Sequence, residues 1–126
     1  MRLLLDTHAL LWWLAGEDAL PAAARRAIGE VRNEVLVSAA SAWEIATKVR
    51  LGKLPGAAGL EVGQALRDQG FSPLPVTVEH AERAGALPGP HRDPFDRMLI
   101  VQALLEDCRL VTNERLFDRY GVRRLW

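Results

Sequence analysis

Four acidic side chains stand where apolar runs stop or helices begin, and they are the residues of this chain best suited to chemistry. Asp6 follows Leu3-Leu4-Leu5. Glu44 ends Ser41-x-x-Glu44, Asp96 ends Asp93-Pro94-Phe95-Asp96, and Glu114 ends Thr112-Asn113-Glu114, just after Leu110-Val111. Each has an ordinary structural reading. Asp6 is a good N-cap for a helix starting near His8. Ser41 and Glu44 form a capping box, and Glu44 pairs with Lys48 at i,i+4. Asp93 suits an N-cap, Pro94 the first helical position, and Asp96 a first turn where the helix dipole favours acids. Glu114 can simply begin a last helix. There is also a chemical reading. An acid beside a buried strand needs a counter-charge. Asp96 shares a helix face with Leu99, Ile100 and Ala103, which should be buried. Oxygen donors without a His or Cys cluster suit Mg²⁺ or Mn²⁺ rather than zinc. Without that ion the carboxylates repel, and at least one should have a raised pKa.

Positioning these acids falls to short elements. Residues 3–5, 35–37 and 110–111 are aliphatic runs that each stop at a polar, helix-starting residue, as buried strands of a parallel sheet do. Helical patterns cover 9–14, 21–31, 38–51, 60–69 and 77–87, with Pro21 suited to a first turn and Thr77 to a cap. A further helix runs from 93 to about 107. It is apolar almost all round and is expected to be deeply packed. Residues 52–59 read as a loop, 71–76 (with two prolines) and 122–126 as edge strands, and 116–120 as a short helix. Alternating strands and helices predict an α/β fold, a three-layer α/β/α sandwich with a mostly parallel central sheet. Ligands of such sheets bind outside the carboxyl ends of the strands. All four acids can reach that rim.

Composition narrows the field without choosing a function. The 126 residues suit one domain, residues 1–126, large enough to bury a core without staples. Net charge is zero, so no overall basic bias points to nucleic acid, although a local basic stripe can coexist with an acidic pocket. Cys108 is the only cysteine, which excludes an intramolecular disulfide and a thiolate cage and fits a reducing, cytoplasmic setting. It is expected to be buried. The opening MRLLLDTHALLWWLAG is interrupted by Asp6 and His8, and no run approaches the roughly 20 apolar residues of a membrane span. A soluble protein without a membrane partner is therefore expected.

Three segments carry a family resemblance. LLLDTHALLW, VSAASAWEIATKVRLGKL and HRDPFDRMLIVQALLEDCRLVTNERLFDRYGVRRLW, in this order, resemble PIN-domain proteins, and among them the VapC-like toxins of bacterial type II toxin–antitoxin pairs. The likeness covers nearly the whole chain. It implies an Mg²⁺-dependent endoribonuclease, with Mn²⁺ able to substitute, that hydrolyses RNA phosphodiester bonds to a 3′-hydroxyl and a 5′-phosphate. The resemblance puts the first three acids of the family on Asp6, Glu44 and Asp96, the catalytic and metal-binding set. Asp6 and Asp96 would be the main ligands, with Glu44 on a second metal or orienting water. The fourth acid of the family, commonly Asp, falls near Glu114, which leaves Glu114, Asn113 through water, or neither. Thr7 and Thr112 could hydrogen-bond the acids, and Asp93 either extends the cluster or caps its helix. The family also implies a homodimer and a cognate antitoxin protein lying across the active-site groove.

The remaining polar residues are less telling. His8, His80 and His91 are not at zinc-like spacings, and His91 could meet RNA or the surface. Arg97 could meet a phosphate or pair with an acid. Lys48, Arg50 and Lys53 are either a solvated face or a guide for the RNA backbone. Of the four Trp residues, Trp12 or Trp13 is the candidate for partial exposure. Two competing functions stand beside the nuclease. One is a catalytically silent PIN-like interaction module. The other is a phosphotransfer enzyme, disfavoured because Asp6-Thr7-His8 lacks a second nearby acid and no Gly-rich phosphate loop is present.

Overall fold

The aliphatic runs become the middle of a parallel sheet. In the computed structural model, which describes residues 1–126, β1 (Arg2–Leu5), β2 (Glu34–Ser38), β3 (Ser72–Leu74), β4 (Arg109–Val111) and β5 (Arg124–Leu125) form one sheet. Its order is β3-β2-β1-β4-β5, and every neighbouring pair is parallel. The chain first builds outward from β1 to β3, then returns to the other side of β1 for β4 and β5. That reversal beside β1 is the switch point where such sheets open a crevice at their carboxyl ends. β3 and β5 are the edges, and the proline of β3 is tolerated because an edge strand need not donate on both sides.

Alternation along β1 separates two cores. Leu3 and Leu5, with Val35, Val37 and Val111, face α1 (Thr7–Ala15), α2 (Ala22–Gly29) and α4 (Val62–Gln69), whose Ala9, Leu10, Ala24, Ile28 and Leu66 pack there together with Ile45 of α3 (Ala39–Arg50). Leu4, Leu36 and Leu110 face the opposite way, onto Leu99, Ile100 and Ala103 of α6 (Pro94–Leu105), with Phe117 and Val122. Helix α5 (Val78–Ala86) lies outside α6. The result is the expected three-layer α/β/α sandwich. Each fully buried Leu of β1 contributes roughly 2 kcal/mol, so the sheet centre is firmly set. Cys108 is buried in the second core. No helix is long and apolar enough to cross a membrane.

Several local expectations change. Ser41 does not cap α3. Strand β2 runs to Ser38, whose hydroxyl accepts the Ala40 N–H at 3.0 Å, so the helix starts earlier and Ser41 lies inside it. Pro21 is the N-cap of α2 rather than its first residue. Helix α6 is not covered all round: Leu104 and Leu105 are exposed. Trp12 and Trp13 are partly exposed, as expected, but the most exposed Trp is Trp43, at 67%. The expected final helix is a 3₁₀ segment, Arg115–Tyr120.

Candidate metal centre

Parallel strands deliver their carboxyl ends to one edge, and helix starts gather there. Asp6 is the first residue beyond β1 and the N-cap of α1, accepting the Ala9 N–H at 2.7 Å. It is 7% exposed. The capping and chemical readings are therefore compatible, since only one carboxylate oxygen makes the cap. Burial pushes the Asp6 carboxyl above its ordinary value. The Thr112 hydroxyl, the Ala9 N–H and His8 pull it back, and Glu44 adds to the rise.

Glu44 lies in the second turn of α3 and is 4% exposed. The Thr7 hydroxyl donates to its Oε1 at 2.5 Å, and Thr7 Oγ1 also lies 3.2 Å from Ser41 Oγ. Lys48 Nζ donates to Oε2 at 2.7 Å in the expected i,i+4 pair, which raises the Lys48 pKa. Both oxygens of Glu44 are thus engaged, and its charge is balanced on site.

Asp93 caps α6, its Oδ1 accepting the N–H groups of Phe95 at 2.8 Å and Asp96 at 3.2 Å. Pro94 follows at the first helical position, which fixes where the next acid falls. Asp96, two residues later, carries the largest electrostatic load. Burial raises its pKa first, then Asp93, Glu44, Asp6 and Glu114 add to it, bringing it to about 7. Glu114 caps the 3₁₀ segment through Leu116 N–H at 3.1 Å, and its own N–H donates to Thr112 Oγ1 at 3.0 Å.

These acids line one cavity of about 170 Å³, together with Thr7, His8, Lys48, Asn113 and Phe117. Four stretches of the chain, carrying residue 6, residue 44, residues 93 and 96, and residue 114, meet at a single rim. Thr112 is fully buried just beneath it. Arg97 does not line the cavity: its guanidinium donates to the carbonyls of Ala84, His91 and Leu87, so it clamps the connection between α5 and α6 and pairs with no acid. Sequence reasoning offered RNA or the surface for His91, not the acid it meets: its ring nitrogen Nε2 stands 3.0 Å from Asp96 Oδ2. Its place just before the Asp93 turn was the only available signal.

The donor set is hard, anionic oxygen, which matches a divalent cation of the Mg²⁺ type. No three of the carboxylates stand close enough to clasp one ion directly. Mg²⁺ does not require that, because it keeps several waters and is commonly held by one or two carboxylates. The mutual repulsion focused on Asp96 is the feature a cation would relieve. The residues therefore fit such an ion, with Asp96, whose carboxylate accepts no hydrogen bond, as the least committed donor.

Comparison with known proteins agrees with this architecture. Residues 3–123 match the sequence family described as PIN domain. The chain is 32% identical over 118 residues to Ribonuclease VapC22 of Mycobacterium tuberculosis, covering 89% of this chain and 86% of that protein. It is 48% identical over 62 residues to Ribonuclease VapC16 of the same organism, a match that spans 48% of this chain and only 43% of the relative. Among solved structures it superposes on a chain of VapBC2 from Rickettsia felis, crystallised with a promoter DNA fragment, with a TM-score of 0.67, 14% identity and coverage of 99% and 98% of the two chains. That likeness speaks for the fold. The match over residues 3–123, joined to the relative aligned along most of the chain, makes this protein a member of the PIN-domain family, on its VapC-like side.

Proposed function

We propose that the chain is an Mg²⁺-dependent endoribonuclease, with Mn²⁺ able to substitute, and the toxin of a type II toxin–antitoxin pair. One observation carries this reading: five acids from four segments of the chain line one small cavity, where burial and then the neighbouring carboxylates raise Asp96 to about 7. The names of the relatives, Ribonuclease VapC16 and Ribonuclease VapC22, supply the substrate class.

In this reading Asp6 and Asp96 hold the ion. When bound, it would lower the pKa of a water and offset charge on a phosphate. Glu44, fixed by Thr7 and Lys48, orients water within the cavity. Lys48 balances Glu44 and adds positive charge at the mouth, where a phosphodiester backbone must approach. Asn113 and Glu114 close the far side. Hydrolysis joins the water oxygen to phosphorus and breaks the P–O3′ bond, and the leaving 3′ oxygen takes a proton. A cognate antitoxin, a homodimer and a cytoplasmic setting belong to the same proposal.

The test is incubation of the purified protein with structured RNA, with Mn²⁺ or with EDTA, beside Asp6→Asn and Asp96→Asn. Metal-dependent cleavage lost in both variants is expected. Equal background in every lane, over a range of RNAs, would favour a catalytically silent interaction module. That second reading draws on the full engagement of Glu44 and on the absence of a three-carboxylate clasp.

A further inference from the structure

His91 lies outside every helix and strand, in the short stretch before α6, yet it is held on all sides. Its backbone N–H donates to Tyr120 Oη at 2.9 Å, and its carbonyl accepts from Arg97 Nη1 at 2.9 Å. Its ring packs against Phe117 with centroids 5.7 Å apart. The tyrosine can reach it only because residue 89 is glycine: at φ +109°, an added Cβ would stand 2.6 Å from the Tyr120 hydroxyl oxygen. Four residues from three parts of the chain thus set the place of one loop imidazole.

The ring so placed meets the acid site. Nε2 is buried and 3.0 Å from Asp96 Oδ2, yet the N–H direction is out of line and the nitrogen has no hydrogen-bond partner. A buried polar atom left unpaired is costly, and a carboxylate oxygen 3.0 Å away could satisfy this one. The carboxylate beside it is the one on which burial and the charges of the other acids converge.

We propose that His91 is the positioning residue of Asp96. A small rotation of the Asp96 carboxylate brings Oδ2 into line with Nε2–H, which satisfies the buried nitrogen and leaves the other carboxylate oxygen for the cation. Hydrogen bonds of this kind are often poorly aligned before the site is filled and tighten on binding. Partners that orient a ligating carboxylate influence metal affinity without touching the metal. The inference rests on the cation-binding reading of the cavity and adds to it the residue that prepares the ligand.

The experiment is Mn²⁺ binding to the intact protein, without RNA, measured by isothermal titration and by the loss of free-ion paramagnetic resonance signal. Wild type, His91→Ala, His91→Gln and Tyr120→Phe are compared, with Asp96→Asn as the ligand-loss control. Circular dichroism and melting in EDTA report folding separately. His91→Ala is expected to weaken binding about tenfold or more. His91→Gln, which keeps an N–H donor of similar reach, should recover part of that loss, and Tyr120→Phe should weaken binding less than His91→Ala. A histidine with a structural role alone would lower the melting temperature and leave the affinity of folded protein unchanged. Wild-type affinity in His91→Ala overturns the proposal. If that variant does not fold, wild-type affinity in both His91→Gln and Tyr120→Phe overturns it instead. Failure of wild type to bind Mn²⁺ is a different result: it removes the cation reading itself, and this inference with it.

Discussion

Helices α3 and α6 build two neighbouring hollows of opposite character. On one side Trp43 and Phe95 meet edge to face, 5.1 Å apart, in a largely apolar groove of about 440 Å³ shared with Val76, Ala81 and Met98. One residue further along each helix, Glu44 and Asp96 line the acidic cavity. A single residue turns a helix by about 100°, so the same pair of helices presents grease on one flank and carboxylates on the other. The groove is the larger hollow, but it gathers no charge that needs an answer. The cavity is small and electrostatically strained, and that strain is what the proposed ion would relieve. Size alone would have pointed to the wrong hollow.

The contrast can be broken or sharpened by substitution. The largest effect belongs to the cavity. Asp6→Asn and Asp96→Asn should each reduce RNA cleavage on the order of a thousandfold, the scale of losing a preorganised charge, as read by initial rates in Mn²⁺ on protein whose fold is checked by circular dichroism. Next comes Phe117, which lines the cavity and is also core, 1% exposed. Phe117→Ala should destabilise the fold by about 3–5 kcal/mol in urea denaturation, a reminder that the cavity floor is structural.

Asp96 gives the third prediction, with a definite sign. Its folded pKa of about 7 lies above the ordinary 3.8. Its favourable contribution to the metal-free protein is therefore fully present below about pH 3.8 and is lost as pH rises towards 7. In EDTA at pH 8, Asp96→Asn should be more stable than wild type by roughly 2 kcal/mol, reduced from the full shift because the side chain is partly solvated. Mn²⁺ should raise the melting temperature of wild type but not of the variant. The smallest effect belongs to the groove. Trp43→Ala, at an exposed site, should change stability by less than about 1 kcal/mol and leave Mn²⁺ affinity at the wild-type value, measured by the same titration. A large loss of ion binding there would erase the distinction between the two flanks.

The central sheet was legible because buried parallel strands leave a direct mark, an aliphatic run ending in a helix-starting residue. Leu3–Leu5, Val35–Val37 and Leu110-Val111 carry that mark, and they became β1, β2 and β4. The edge strands were legible from their prolines and terminal position. The acids could be placed on the rim because parallel topology sends every strand end the same way. What failed depended on contacts between elements. Ser41 has the spacing of a capping box, but the helix begins where the 38–51 pattern placed it, with Ser38 as its cap, and Ser41 lies inside it. Arg97 offers a charge in sequence, and only the fold shows that carbonyls consume its head group. The exposure of Trp43 was not foreseen, because local pattern cannot tell which face of α3 stays uncovered. The meeting of His91 with Asp96 was missed for the same reason: the neighbours of His91, Tyr120 and Phe117, arrive from the far end of the chain.

A structure determined from crystals soaked in Mn²⁺, with anomalous scattering locating the ion, is the most direct trial of the acidic cavity. The account predicts a manganese peak within coordinating distance of Asp6 and Asp96, with His91 Nε2 aligned on Asp96 Oδ2. An ion found elsewhere on the molecule, or none at saturating Mn²⁺, would contradict it.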